Sequence, residues 1–412
     1  MPSVTVPGTS TPIPINLTGT ASFALAQQIA AALAAAAGSH NLTITNSASG
    51  ALPPPPSGQG VNQLVVTGGG GANSVPAGYQ YIINDNTSPD SLAGTNTAIL
   101  SDTVGGAFWV SGNSTVVAGG GNDFVVGQSG GTYLLATSDG NDSIYSSGGG
   151  TIAGGGGANL LWAGDPTDTQ PNYFISDGTN DTIVAGAGPD TIAAYGSNDL
   201  IFGGSGTLVV GAVPNTTVSA GTGAETIFGA SGNIVYGNNS SGITFVGGAD
   251  GATVFGSNTS VTTIFGSAGS AVAFQNVSTP GAVMAAYSGN ETLTAALSSS
   301  SNTLAGGSGA DSLVGGSGTD VLWAGTGNDT MTGGAGANQF NFVLGNSGGT
   351  DFVTDLTSPD VVNLIGYGAN AAATAIAGAT VSGGSSTIQL SDATKITFVG
   401  VSSLSTTNIH SS

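Results

Sequence analysis

Residues 306–341 read GGSGADSLVGGSGTDVLWAGTGNDTMTGGAGANQFN, one nine-residue phrase used four times without a gap. Aligned as 306–314, 315–323, 324–332 and 333–341, the sixth position holds Asp311, Asp320, Asp329 and Asn338. The eighth holds Leu313, Leu322, Met331 and Phe340. Glycines recur ahead of the acid: Gly307 and Gly309, Gly316 and Gly318, Gly325 and Gly327, Gly334 and Gly336. Glycine permits tight turns at positive φ and lets backbone carbonyls face inward. The three residues around the eighth position then form a short strand with its middle side chain inside. One phrase is half a coil and two phrases close it, so stacked coils place parallel strands roughly 4.8 Å apart. Residues eighteen apart become neighbours, which sets Asp311 over Asp329 and Asp320 over Asn338. Stacked carboxylates faced by carbonyls are unfavourable unless a hard cation lies between them, and an all-oxygen donor set on a glycine loop suits calcium.

The phrase resembles the calcium-binding repeat of the repeats-in-toxin (RTX) family of secreted bacterial proteins. The resemblance implies a β-roll, several bound Ca2+ ions, and metal contacts from the glycines and acids just named. Looser copies are AGGGNDFVV (118–126, with Asp123), AGAGPDTIA (185–193, with Asp190) and AGTGAETIF (220–228, with Glu225 in the acid's place). Asp181, Asp190 and Asp199 are spaced by nine, and Asp142 in DGNDSIY and Asn159 in GGGGANLLW are worn versions. Asp123, Asp142, Asp181, Asp190 and Asp199 therefore join the expected calcium set.

The apolar beat continues where the acids stop. Central strand residues are read at Val125, Leu134, Ile144, Ile152, Leu161, Phe174, Ile183, Ile192, Ile201, Val209, Val218, Ile227, Val235, Val254, Ile264, Val272, Val283, Leu293 and Leu304. Such a beat argues for one all-β, elongated parallel β-solenoid and not for several globules. Between Asp199 and Asp311 the only acids are Glu225, Asp250 and Glu291, so this stretch is expected to hold little calcium and to depend on stacked Ile, Val and Phe. Four regions follow. Residues 1–60 carry an Ala-rich helix (21–37, capped at Thr20 or Ser22, stopped at Gly38, docked through Phe23, Leu25, Ile29 and Leu33), a strand and a Pro-rich linker. Residues 61–305 are a degenerate solenoid, 306–341 the strict roll, and 342–412 a C-terminal β cap. In that cap, period-two strands in 338–368 and 386–404, with Asp351, Asp355 and Asp360 between them, resemble the segment that closes the roll in serralysin-like proteins. There it leads to an uncleaved export signal for type I secretion.

Composition narrows the function. The chain of 412 residues has 72 Gly, no Cys, and 22 acids against a single cationic residue, Lys395, giving a formal charge of −21. Phosphate binding needs Lys and Arg, so a nucleic-acid partner is excluded. No stretch reads as a membrane span, and residues 1–20 lack the cations that a signal peptide requires ahead of its apolar core. The two histidines, His40 and His410, form no HExxH motif, so the zinc protease activity of serralysins does not carry over. The GxSxG matches at 127–131 and 345–349 do not lie between a strong strand and a helix. No catalytic residue is assigned. Aromatics that follow the central strand residue should face outward: Trp162, Phe202, Phe228, Tyr236, Phe255, Phe265 and Trp323. The expected function is a secreted calcium-binding structural protein that self-assembles outside the cell as a surface layer, fibre or matrix. The alternative is an adhesin that sets these aromatics against cell-surface glycans. An enzyme on a solenoid is a third reading, disfavoured by the shortage of bases.

Overall fold

Runs of three to six residues rich in Val, Ile, Leu and Thr, punctuated by Gly, Asn and Ser, make short strands joined by tight turns. The computed structural model describes residues 3–17, 20–48, 52–58, 60–67, 72–86, 91–102, 105–247, 251–266, 273–275 and 281–412. It divides into two units, Met1–Val213 and Pro214–Ser412, and each is a parallel β-solenoid with two sheet faces per coil.

In the first unit one face runs through Leu42–Ser47, Val61–Val66, Tyr81–Asn84, Ala98–Ser101, Asn113–Val117, Thr132–Ala136, Gly149–Gly154, Asn172–Ser176, Asp190–Ala194 and Leu208–Gly211. Its inward column is Leu64, Ile82, Ile99, Val116, Leu135, Ile152, Phe174, Ile192 and Val210, in register from coil to coil and fully buried. The second face stacks Leu92, Phe108, Val125, Ile144, Leu161, Ile183 and Ile201 in the same way. Parallel stacking thus begins at Leu42, in the strand expected between helix and linker and ahead of the solenoid start expected at 61, because Leu42–Ser47 pairs in register with Val61–Val66.

Helix α1 (Thr20–Gly38) does not stand apart from the solenoid. Ala26, Ile29, Ala30 and Leu33 pack with the antiparallel hairpin Ser3–Val6/Ile13–Asn16 onto Val65, Ile83, Leu100 and Val117. Those four residues form an outward column of the first face. Phe23 and Leu25 join the same cluster half-buried. The Ser22 hydroxyl donates to the carbonyl of Thr137 and does not cap the helix; the Thr20 side chain lies outside the described residues. The helix ends at Gly38, and His40 turns the chain into the first strand with a left-handed backbone, φ 55°.

In the second unit one face stacks Ile227, Phe245, Ile264, Met284, Leu304, Leu322, Phe340, Val362 and Ile409. The other stacks Val218, Val235 and Val254, and, from Leu293 onward, Leu313, Met331, Val353 and Phe398. The last coils carry an antiparallel extension, with Thr380–Ser382 and Ser385–Gln389 folded beside Lys395–Phe398, and helix α2 (Ala371–Ala377).

Most expected inward residues point inward, with three slips of one position. Leu135 is buried instead of Leu134, Val210 instead of Val209, and Met284 instead of Val283; Phe245 completes a coil that the beat had passed over. At each slip two apolar residues are adjacent, so alternation alone cannot choose between them, and the neighbouring coil decides. Val272 lies outside the described residues.

Candidate metal centre

The turns that lead into the strands carry the acids, and the aspartates at the strand starts reach back one coil. In the second unit, Glu291 N–H donates to Asp311 Oδ1 (2.8 Å), Asp311 N–H to Asp329 Oδ1 (2.9 Å) and Asp329 N–H to Asp351 Oδ1 (3.0 Å). On the opposite edge, Asn302 N–H donates to Asp320 Oδ1 (2.7 Å), Asp320 N–H to Asn338 Oδ1 (2.9 Å) and Asn338 N–H to Asp360 Oδ1 (2.8 Å). The first unit repeats the device. Gly106 N–H donates to Asp123, Asp123 N–H to Asp142, Asp142 N–H to Asn159, Asn159 N–H to Asp181 and Asp181 N–H to Asp199, over 2.6 to 3.0 Å. Asp190 sits on the other edge, where it accepts from Asn172 N–H (2.9 Å). Acids nine apart therefore alternate between edges and acids eighteen apart stack, as two phrases per coil require.

The two edges differ in what happens to the second carboxylate oxygen. Asp320 Oδ2 accepts from Gly316 N–H (2.7 Å), Asp360 Oδ2 from Thr357 N–H (2.7 Å) and Asp190 Oδ2 from Gly186 N–H (2.7 Å). On the first edge, Asp123 Oδ2, Asp142 Oδ2 and Asp199 Oδ2 in one unit, and Asp329 Oδ2, Asp351 Oδ2 and both oxygens of Glu291 in the other, are buried with no donor. Asp311 and Asp181 are the exceptions there, since Gly307 N–H reaches Asp311 Oδ2 at 3.1 Å and the Ser176 hydroxyl donates to Asp181 Oδ2.

A buried carboxylate without a donor is costly to ionise. Burial, with the repulsion of Asp311, pushes Asp329 up to about 7. Burial and Asp329 do the same to Asp351, also to about 7. Asp123 is pushed to about 8 by burial and by Asp142, against the hydrogen bond from Gly106. Asp142 and Asp199 rise to about 6, again chiefly by burial. Asp181 and Asp190 are also raised by burial, opposed by the Ser176 hydroxyl at Asp181 and the Gly186 amide at Asp190.

The donor set fits a hard cation. Among the described residues no three His, Cys, Asp or Glu side chains converge, so a cation here has to draw on main-chain carbonyls as well. The glycines let the turns stack with their carbonyls close against the next coil. A Cβ on Gly327 (φ +148°) would lie 1.4 Å from the Gly309 carbonyl oxygen. On Gly325 it would lie 2.3 Å from that of Gly307, on Gly334 2.1 Å from that of Gly316, and on Gly336 2.0 Å from that of Gly318. Only glycine lets successive turns stack with carbonyls this close.

Three acids outside the expected set belong to these ladders: Glu291, Asp351 and Asp360. Asp351 and Asp360 lie twenty-two residues after Asp329 and Asn338, because the turn at 344–349 lengthens the coil. Asp355 adds a clasp, accepting from Gly333 and Gly334 N–H at 2.8 Å each. The GxSxG matches at 127–131 and 345–349 lead into strands Thr132–Ala136 and Thr350–Val353, so neither builds the strand-to-helix turn of a nucleophilic serine.

Parallel coils whose turns line up carboxylates and carbonyls define a cation-binding β-roll. The particular family follows from the sequence of those turns: residues 111–134, 175–207 and, in overlapping matches, 298–331, 305–340 and 314–348 match the RTX calcium-binding nonapeptide repeat (four copies). The chain carries RTX calcium-binding repeats, and such repeats bind several Ca2+ ions. RTX repeats mark secreted proteins and are typical of type I export. The family match ends at Gly348, ahead of the C-terminal strands. No curated protein matches the chain. Among the described residues no helix is long and apolar enough to cross a membrane.

Proposed function

We propose that this chain is exported by the type I route, folds on calcium held along the acid edges, and assembles with copies of itself into an extracellular layer, fibre or matrix. The calcium ligands in this reading are Asp311, Asp320, Asp329 and Asn338 with the carbonyls of their glycine turns, and Asp123, Asp142, Asp181, Asp190 and Asp199 in the first unit. The observation that supports assembly is the outward side of the second face in the first unit. Trp109, Val126, Tyr145, Trp162, Val184 and Phe202 stack there as one column, and Phe124 and Leu160 stand in the column beside it. Phe124 is 43% exposed, Trp162 41% and Phe202 38%. Edge-to-face contacts at Trp109–Phe124 (5.9 Å) and Tyr145–Trp162 (5.2 Å) hold the rings in place. A continuous apolar face of this kind is an interaction surface and not ordinary exposure. Helix α1 covers only the other face, so this one is left for a second copy.

Charge couples the two halves of the proposal. A chain at −21 repels its own copies, and calcium on the acid edges removes much of that repulsion. Light scattering of the purified chain tests it: large particles are expected in millimolar calcium, and monomers after chelation. A Trp162→Ser/Phe202→Ser double variant should keep its calcium-dependent folding and stay monomeric. A wild-type chain that remains monomeric in calcium at high concentration overturns the assembly reading. If that monomer binds polysaccharide through the same rings, the adhesin reading replaces it.

A further inference from the structure

Glu291 lies in the turn SGNET, 288–292, seven residues before the first matched repeat of its unit and without a glycine pair. Its surroundings nevertheless repeat the calcium turns coil for coil. Ser308 N–H donates to the Tyr287 carbonyl (3.1 Å) and Gly289 N–H to that of Ser308 (2.8 Å). In the next coils Thr326 N–H donates to the Gly307 carbonyl (2.8 Å) and Gly327 N–H to that of Gly348 (3.1 Å). Asn290 Oδ1 accepts the amide of Ala310 at 2.8 Å, just as Asn328 Oδ1 accepts that of Thr350 at 2.8 Å. A Cβ on Gly309 would lie 1.4 Å from the Gly289 carbonyl oxygen, the same separation as between Gly327 and Gly309. Glu291 thus stands where the repeat places its aspartate, one coil beyond the repeat.

Its side chain is what points to a ligand. Glu291 is 1% exposed, and neither carboxylate oxygen has a donor. It lies against the carboxylate of Asp311, whose own oxygens already take the amides of Glu291 and Gly307. The protein's one lysine, Lys395, is far along the stack, on the strand that pairs with Thr350–Val353. Two adjacent buried carboxylates with no donor between them call for an added positive charge. A glutamate, one methylene longer than aspartate, suits calcium, which accepts a bidentate glutamate readily.

We propose that Glu291 and Asp311 hold a calcium ion between turns 287–291 and 307–311, extending the calcium ladder one coil past the recognisable repeats. The inference rests on calcium binding at the repeats themselves. The competing occupant is a proton, which would leave Glu291 neutral; glutamine copies that state, so Glu291→Gln separates the two. Calcium titration and thermal unfolding of the full chain, in calcium and in chelator, read the difference. With a calcium site, E291Q binds one ion fewer and loses part of the calcium-induced rise in Tm, while its Tm in chelator is unchanged or higher. Glu291→Asp, which keeps the carboxylate, retains most of the calcium response. An E291Q chain with wild-type stoichiometry and the wild-type calcium response overturns the proposal. So does an E291D chain no more responsive than E291Q, a comparison that holds even if E291Q folds poorly. A wild-type chain that binds no calcium at all would instead overturn the reading of the repeats.

Discussion

Asp329 shows how one residue type can be both a burden and a purpose. Its Oδ1 pins the amide of Asp311, while its Oδ2 is buried and without a donor. Burial is the larger cause of its raised value, about 7, and the same holds for Asp351 at about 7 and Asp123 at about 8. The consequence for stability has a definite sign. An unfolded aspartate titrates near 3.9, so between roughly pH 4 and 8 the folded, calcium-free chain binds more protons than the unfolded one. Stability from these groups is fully present below the unfolded value and is lost as pH rises through 7 to 8. Calcium-free protein should therefore become more stable on acidification from pH 8 to pH 5, by a few kcal/mol in all once solvent screening is allowed for. Urea unfolding in chelator at the two pH values measures this; greater stability at pH 8 would contradict the picture. Added calcium should reverse the trend, because it binds the ionised form.

At the scale of elements, the decisive event is stacking. The strict block could be read from its sequence because glycine, acid and apolar residue each occupy a position that only one geometry satisfies. The worn coils kept the apolar beat, and that was enough to place most inward residues. What sequence could not settle was local choice between equals, as at Leu134 and Leu135 or Val283 and Met284, where contact with the next coil decides. It also could not show that Asp320 has a donor for each oxygen while Asp329 has one oxygen bare, because a difference in turn shape separates them. Nor did helix α1 announce its partner. Its apolar residues match an outward column that looks, in sequence, like any other strand position. Leu33 is fully buried in that contact, so Leu33→Ala should cost about 3 kcal/mol, by loss of burial and the cavity left behind, measured by chemical denaturation. A cost below about 0.5 kcal/mol would mean that the helix is not docked as described.

Taken whole, the chain divides its stability unequally. In the second unit the coils from Glu291 to Asp360 are rich in acids, whereas the described part from 214 to 281 has Glu225 as its one acid and relies on Ile227, Phe245 and Ile264. Asp250 lies outside the described residues. Chelation should accordingly remove part of the β signal in circular dichroism, and calcium should restore it; an unchanged spectrum and Tm would sink the calcium-folding claim. A site of roughly 0.1 mM affinity, common in extracellular modules, adds about 1.4 kcal/mol in millimolar calcium. Many sites together make the coils conditional on the medium. The amide-to-carboxylate bond between successive turns has a further consequence, at the level of the gene. In these ladders the bond joins a turn to the acid or asparagine one coil later, across coils of 17 to 22 residues. An in-frame duplication or loss of one coil therefore presents each turn with a copy of the partner it already had. Such a chain can lengthen or shorten by recombination without inventing a new interface, and a worn coil such as the one at Glu291 can persist because its neighbours supply the missing geometry.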